Sequence, residues 1–203
     1  MDNIEKKKIY KVRKTCIEML KDRKFEIPKI VEDLSFEDFK IMFDNKNIDM
    51  SLDNNETKIY VFFQLEDSKF GKNELKKLID KIFNSFGTTN VLSILVLKDK
   101  ASAPIKKEIK HPKYENVELF QRRNMLFNVT KHQLVPQHIP LTKEEAQEVM
   151  DRYDTKLDQF PGIFETDPQA KYYGMKVGDM CKIIRNNKFN GISISYRVVI
   201  SSN

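Results

Sequence analysis

Between residues 134 and 199 the chain carries a dense set of local start and stop signals, and they leave little freedom in what this stretch can fold into. Thr142 followed by Glu145 spells a capping box, in which the hydroxyl accepts from the Glu145 N–H while that carboxylate reaches back to the Thr142 N–H. A helix is expected to start there. Ala146, Val149, Met150 and Tyr153 then recur at helical spacing on one face, with Glu144, Glu148, Asp151 and Arg152 mostly on the other. Asp167 before Pro168 is a second start signal, a carboxylate cap ahead of a residue that needs no N–H at the first helical position. This helix should be short, because Gly174 supplies a left-handed stop just after Tyr172 and Tyr173. Two β-rich runs at 180–185 and 193–200 flank the turn formers of 186–191 and predict a hairpin with a loop longer than the commonest kind.

The rest of the chain is less explicit. Ile9, Val12, Cys16, Met19 and Leu20 mark the apolar face of a first helix, and Lys7, Lys11, Lys14 and Lys21 lie together on its opposite side, with Glu18 among them. Ser35 is expected to cap a helix with the aromatic stripe Phe36, Phe39, Met42 and Phe43, which reads as core. Residues 44–57, rich in Asn and Asp, read as a loop. A strand at 58–65, a helix at 73–86 stopped by Gly87, and a continuous apolar strand at 91–97 imply a parallel pair with a helical crossover. A short helix is expected from Pro104, and strands at 115–120 and 126–130. The joint between two domains falls near 130–134 and is not a flexible Gly- or Ser-rich linker.

The spacing of residues 134–199 resembles one family in particular. The LVP-x-H opening, TKEE, the Pro161-Gly162-Ile163 turn, DP-x-A-x-YYG, G-D-x-x-KIIR and the closing YR-x-V are similar to the C-terminal assembly domain of the fifth subunit shared by eukaryotic nuclear RNA polymerases, a domain that also has an archaeal counterpart. The eukaryotic form also has an N-terminal jaw domain. YKVRKTCIEMLKDR from Tyr10 resembles its first helix and YVFF from Tyr60 its first core strand. The resemblance implies a mixed α+β and α/β chain with two domains. Residues 1–130 would form a jaw with a mixed sheet and flanking helices, nuclease-like in fold but not catalytic, and residues 131–203 a small α+β assembly domain. It implies a subunit held on the largest polymerase chain near the omega-like subunit, with the jaw beside downstream duplex DNA. No cofactor and no metal is expected; the resemblance implies a nuclear location for a cellular polymerase, and abundant Lys and Asn with shortened jaw loops also fit a viral member, placed in cytoplasm or virion. Subunit contact would fall to His138, Asp167, Pro168, Tyr172, Tyr173, Arg185, Tyr196 and Arg197. The tyrosines offer amphipathic area and the arginines bidentate bonds, although local pairing of the arginines with Asp167 or Asp179 is the plainer expectation.

Charge location matters more than the formal net charge of +6. Residues 1–24 hold nine Lys or Arg against four Asp or Glu, whereas residues 25–130 are balanced at seventeen each. The first helix is thus an electrostatic footprint suited to a polyanion, and a solvated basic face gives the same count. Lys98, Lys100, Lys106, Lys107, Lys110 and Lys113 flank a small turn ending in Pro104 and make a second basic segment that could touch phosphates without reading bases. DNA contact is expected of Lys7, Lys11, Lys14, Lys98, Lys100, Lys106 and Lys107. In the resembled family the corresponding loop carries Thr-Pro-Ser-Ala; here small residues and a proline occur in another order.

Catalytic patterns are sparse. Asp53 followed by Asp67-x-Lys69 loosely fits a Mg²⁺-dependent nuclease, with carboxylates for the metal and a lysine for charge on phosphorus, and stands as the enzymatic alternative. His132 and His138 lack a Cys or acidic partner at ligand spacing, the six glycines form no phosphate loop, and Ser102 and Ser193 have no visible triad. Only Cys16 and Cys181 are present, expected as buried free thiols on the reducing side of membranes, and no apolar run has membrane-spanning length.

Overall fold

Strand β3 (Val91–Leu97) is buried at nearly every position because it lies inside a sheet covered on both faces. The computed structural model of the chain describes residues 3–54, 57–65, 70–187 and 191–202. They fall into two compact units, Met1–Phe127 and Asn128–Asn203.

In the first unit, α1 (Asn3–Asp22), α2 (Lys29–Glu32) and α3 (Phe36–Asp44) precede a four-stranded sheet of order β1-β2-β3-β4. Strands β1 (Met50–Asn54) and β2 (Thr57–Phe63) are antiparallel, and β2, β3 and β4 (Val117–Gln121) run parallel. The expected crossover helix is α4 (Lys72–Phe86), ended by Gly87 in the left-handed conformation at φ 64°. The short helix after β3 is α5 (Ala103–Ile109). One face of the sheet meets Leu75, Ile79, Ile82 and Phe83 of α4 and Ile105 of α5 through Val91, Leu95, Leu97 and Val117. The other face carries Ile94 and its partners Val61 and Glu118. Arg23, just past α1, grips Glu118, so the end of α1 lies on that second face.

Two expectations fail in this unit and just beyond its end. Residues 44–57 are not all loop: Ile48, Met50 and Leu52 are buried at alternate positions, the period of a half-buried strand, and that alternation outweighs the turn-forming composition. The strand expected at 126–130 does not form. Instead a 3₁₀ turn runs over Arg122–Met125 and another over Val129–Lys131, where the Asn128 side chain accepts from the Thr130 N–H and holds the chain in a turn.

The second unit is a sheet of order β5-β7-β8-β6 with one helix on each face. Its helices are α6 (Lys143–Tyr153), with the reciprocal Thr142–Glu145 cap in place, and α7 (Pro168–Tyr172), capped by Asp167. The hairpin is formed by β7 (Met180–Asn187) and β8 (Gly191–Ile200), and its ladder continues to Asn187 opposite Gly191. The strands are thus longer than the turn formers predict, and residues 188–190 between them lie outside the described residues. Two edge strands have no signature in the sequence: β5 (Gln137–Pro140), antiparallel to β7, and β6 (Gly162–Phe164), parallel to β8, in place of the turn expected at Pro161-Gly162-Ile163. Gly162 allows the close approach, since a Cβ there would meet the Ile200 side chain at 2.6 Å.

Candidate assembly and nucleic-acid surfaces

Residues that alternate along a strand project to opposite faces, so the register sorts the candidates of the second unit. His138, Arg185 and Arg197 share the α7 side with Cys181, Ile183 and Val199. Tyr196 lies on the α6 side with Met180 and Val198. His138 is 8% exposed, and its Nδ1 donates to the Pro136 carbonyl at 2.8 Å. Asp167 accepts from the Gln169 N–H at 2.8 Å, and Pro168 opens α7. Tyr172 is buried; its hydroxyl accepts from Asn128 Nδ2 at 2.8 Å, and its ring meets that of half-buried Tyr173 edge-on at 5.2 Å. Tyr196 stacks edge-on with Tyr153 at 5.9 Å, and Tyr153 is 54% exposed.

The arginines do not pair as expected. Exposed Arg185 donates to Ser195 Oγ at 3.1 Å and Arg197 to the Gly162 carbonyl at 3.0 Å. Asp179 is engaged instead by the Lys176 N–H, and Asp167 caps its helix. Both guanidiniums therefore keep their charge uncompensated by those carboxylates. Arg197 sits beside Cys181, whose thiol burial pushes up to about 11. Cys16 is likewise free and buried, raised by burial to about 12.

In the first unit the lysines divide between two faces. Lys7, Lys11 and Lys14 are exposed on α1; Lys14 lies 4.8 Å from the Tyr10 ring centroid and Lys21 is ion-paired with Glu32. Lys106 and Lys107 are exposed on α5, across the sheet from the Arg23 end of α1, with exposed Lys100 and half-buried Lys98 just ahead of that helix. The two groups therefore do not merge into one stripe. Instead α4 adds cations that sequence spacing does not reveal: Lys72 and Lys76 converge on Glu108 at 2.7 and 3.2 Å, and the Lys72 hydrogen bond foremost holds that carboxyl below its usual range. Only the helix pairing exposes this cluster, because α4 and α5 lie far apart along the chain.

The nuclease pattern is not assembled by what is described. Asp53 is exposed on β1 with Lys58 3.8 Å away, and Asp67 and Lys69 lie outside the described residues. Among the described residues no group of three or more His, Cys, Asp or Glu gathers at metal-binding geometry, and His132 Nδ1 accepts from the Leu134 N–H. Several key residues have no local signal. Arg122 is 7% exposed and bonds Glu5 at 2.6 Å and the Gln64 carbonyl, both far from it in sequence. Gln169 is 5% exposed, and neither polar atom of its side chain has a hydrogen-bond partner among the described residues.

Known proteins match both units in order. Residues 3–82 match the family model described as RNA polymerase Rpb5, N-terminal domain, and residues 127–199 that described as RNA polymerase Rpb5, C-terminal domain. The DNA-directed RNA polymerases I, II and III subunit of Dictyostelium discoideum is 33% identical over 199 residues, covering 95% of this chain and 98% of that protein. The corresponding subunit of Caenorhabditis elegans is 29% identical over 214 residues, covering 98% and 99%. Matched by both domain models in order, and one-third identical to a relative along nearly its whole length, the chain belongs to the RNA polymerase Rpb5 family.

Proposed function

We propose that this RNA polymerase subunit is a non-catalytic structural part of the enzyme, anchored by its C-terminal unit to the largest subunit beside the omega-like one, with its N-terminal unit forming part of the jaw along downstream duplex DNA. The observation that carries the reading is the end-to-end match to a subunit named as shared by polymerases I, II and III. A nuclear location follows for such a polymerase. The C-terminal unit suits an anchor because Thr142, Glu145 and Asp167 are taken up in helix caps, while aromatic area at Tyr153 and guanidinium charge at Arg185 lie on its surface. For the jaw, the α4–α5 side is the favoured duplex-facing surface, since Lys106 and Lys107 are exposed beside the Lys72–Glu108–Lys76 cluster. Mobile ammonium groups of this kind contact phosphates without sequence preference, and their binding weakens steeply with salt. Lys7 and Lys11 on α1 offer a second, separate contact.

Affinity purification of the tagged chain from its native cells tests the proposal. The two large polymerase subunits should be recovered in stoichiometric amount, and purification without them would overturn it.

A further inference from the structure

The β7–β8 hairpin is packed at one end only. Val198 and Val199 are buried near Met180 and Cys181, while Ile192 and Ile194 are 69% and 51% exposed and every residue of 191–194 is exposed. Two backbone bonds fix which way each peptide of β8 faces. The Val199 N–H donates to the Asp179 carbonyl, on the β7 side, and the Val198 N–H to the Pro161 carbonyl, on the β6 side. Directions alternate along a strand, so the main-chain N–H and C=O groups of Ile192, Ile194 and Tyr196 face away from β7. Strand β6 pairs only with Val198–Ile200, and among the described residues no strand adjoins that side from Gly191 to Tyr196.

Exposed edges of this length are ordinarily blunted by Lys, Pro, a bulge or a charge pointing inward, because they template pairing with other chains. Here the edge reads Gly-Ile-Ser-Ile-Ser-Tyr, with none of those residues and with strong β-formers at alternate positions. The opposite edge strand β5, by contrast, ends in Pro140 and follows Pro136.

We propose that this open edge of β8 takes up an extended segment of another polymerase subunit as an added fifth strand, collinear with β6. The proposal rests on the polymerase reading above and specifies how the C-terminal unit grips its partner. The two faces of the edge state the chemistry of that segment. One face presents Ile192 and Ile194, next to Ile184 across the ladder. The other presents Ser193 and Ser195 with the guanidiniums of Arg185 and Arg197. The incoming strand therefore alternates apolar side chains on the first face with acidic ones on the second, backbone bonds giving affinity and the alternate side chains giving selectivity. A second copy of this chain fits poorly. Pairing two β8 edges antiparallel would set the arginines of both copies on one face, a like-charge arrangement.

Hydrogen exchange tests the proposal directly, comparing the isolated chain with the purified polymerase. The amides of Ile192, Ile194 and Tyr196 should exchange fast in the isolated chain and slow by roughly a hundredfold or more in the complex. Ile194→Pro removes an outward N–H without touching the β7 ladder, and should cut recovery of the complex severalfold, whereas Ile194→Val should leave it intact. A recovered complex in which these amides stay fast overturns the added strand and leaves the subunit assignment standing. Protection that appears in the isolated chain as its concentration rises identifies a second copy as the occupant and also overturns it. Failure to recover any polymerase removes both readings.

Discussion

Arg23 and Glu118 meet in a two-pronged ion pair, Nη1 to Oε1 at 3.0 Å and Nη2 to Oε2 at 2.7 Å, across 95 residues of sequence. The side chains are 6% and 15% exposed, so the pair works in a poorly solvated place where a lone charge is costly. It ties the end of α1 to the edge strand β4. Glu118→Ala should lower the stability of the N-terminal unit by about 3 kcal/mol, measured by urea denaturation followed by circular dichroism, because it takes away the carboxylate onto which the buried guanidinium is forked. Arg23→Lys should recover little, since an ammonium cannot make the fork. A loss under about 1 kcal/mol would mean the pair behaves as an exposed one.

Asp49 gives the N-terminal unit a pH dependence of definite sign. Burial raises its pKa, against hydrogen bonds from the Phe63 N–H at 3.0 Å and the Tyr60 hydroxyl at 2.7 Å that pull it down. A carboxyl whose pKa is raised on folding adds stability that is fully present below the unfolded value of about 3.9 and is lost as pH rises through the folded value. Ionised Asp49 therefore works against the fold at neutral pH. Comparing wild type with Asp49→Asn cancels the other carboxylates. The difference in stability should move in favour of wild type as pH falls from about 7 to about 4, and a difference independent of pH would refute the assignment.

How much of this is legible in the sequence depends on the range of the signal. The Thr142–Glu145 box, the Asp167 cap and the Gly174 stop act within three or four residues, and each stands in the structure where local spacing puts it. Strands β5 and β6 exist only because β7 and β8 supply partners, and nothing in Gln-His-Ile-Pro or Gly-Ile-Phe announces that. Strand β1 is hidden by its neighbours: the asparagines and aspartates among residues 44–57 mask the alternation of Ile48, Met50 and Leu52. For the surfaces, a sequence gives the number of lysines but not that Lys21 is paired with Glu32, or that α4 and α5 share Glu108. Charge that matters is charge left over after folding, which is a long-range property.

Gln169 is an opportunity for stabilisation. Its amide is buried on α7 with neither polar atom bonded among the described residues, and a buried group in that state bears its desolvation without return. Gln169→Met keeps the length of the side chain and removes the polar atoms. The variant should gain about 1 kcal/mol in thermal or urea denaturation of the C-terminal unit. A loss instead would mean that the amide has a partner within the fold.

If the α4–α5 side faces downstream duplex, Lys106 and Lys107 should act on DNA and not on assembly. Both are exposed and α5 is anchored through Ile105, so reversing their charge leaves the core untouched. Lys106→Glu with Lys107→Glu should give a polymerase of normal subunit composition whose elongation complexes dissociate faster at moderate salt. The dependence of log affinity on log salt should flatten by about 0.9 for each phosphate no longer neutralised, roughly 2 for the pair. Glu108 supplies the internal control, because Glu108→Gln frees Lys72 and Lys76 and should lengthen complex lifetime with the same salt signature in the opposite direction. Unchanged lifetimes in both variants would place the duplex elsewhere, with Lys7 and Lys11 on α1 the next surface to reverse.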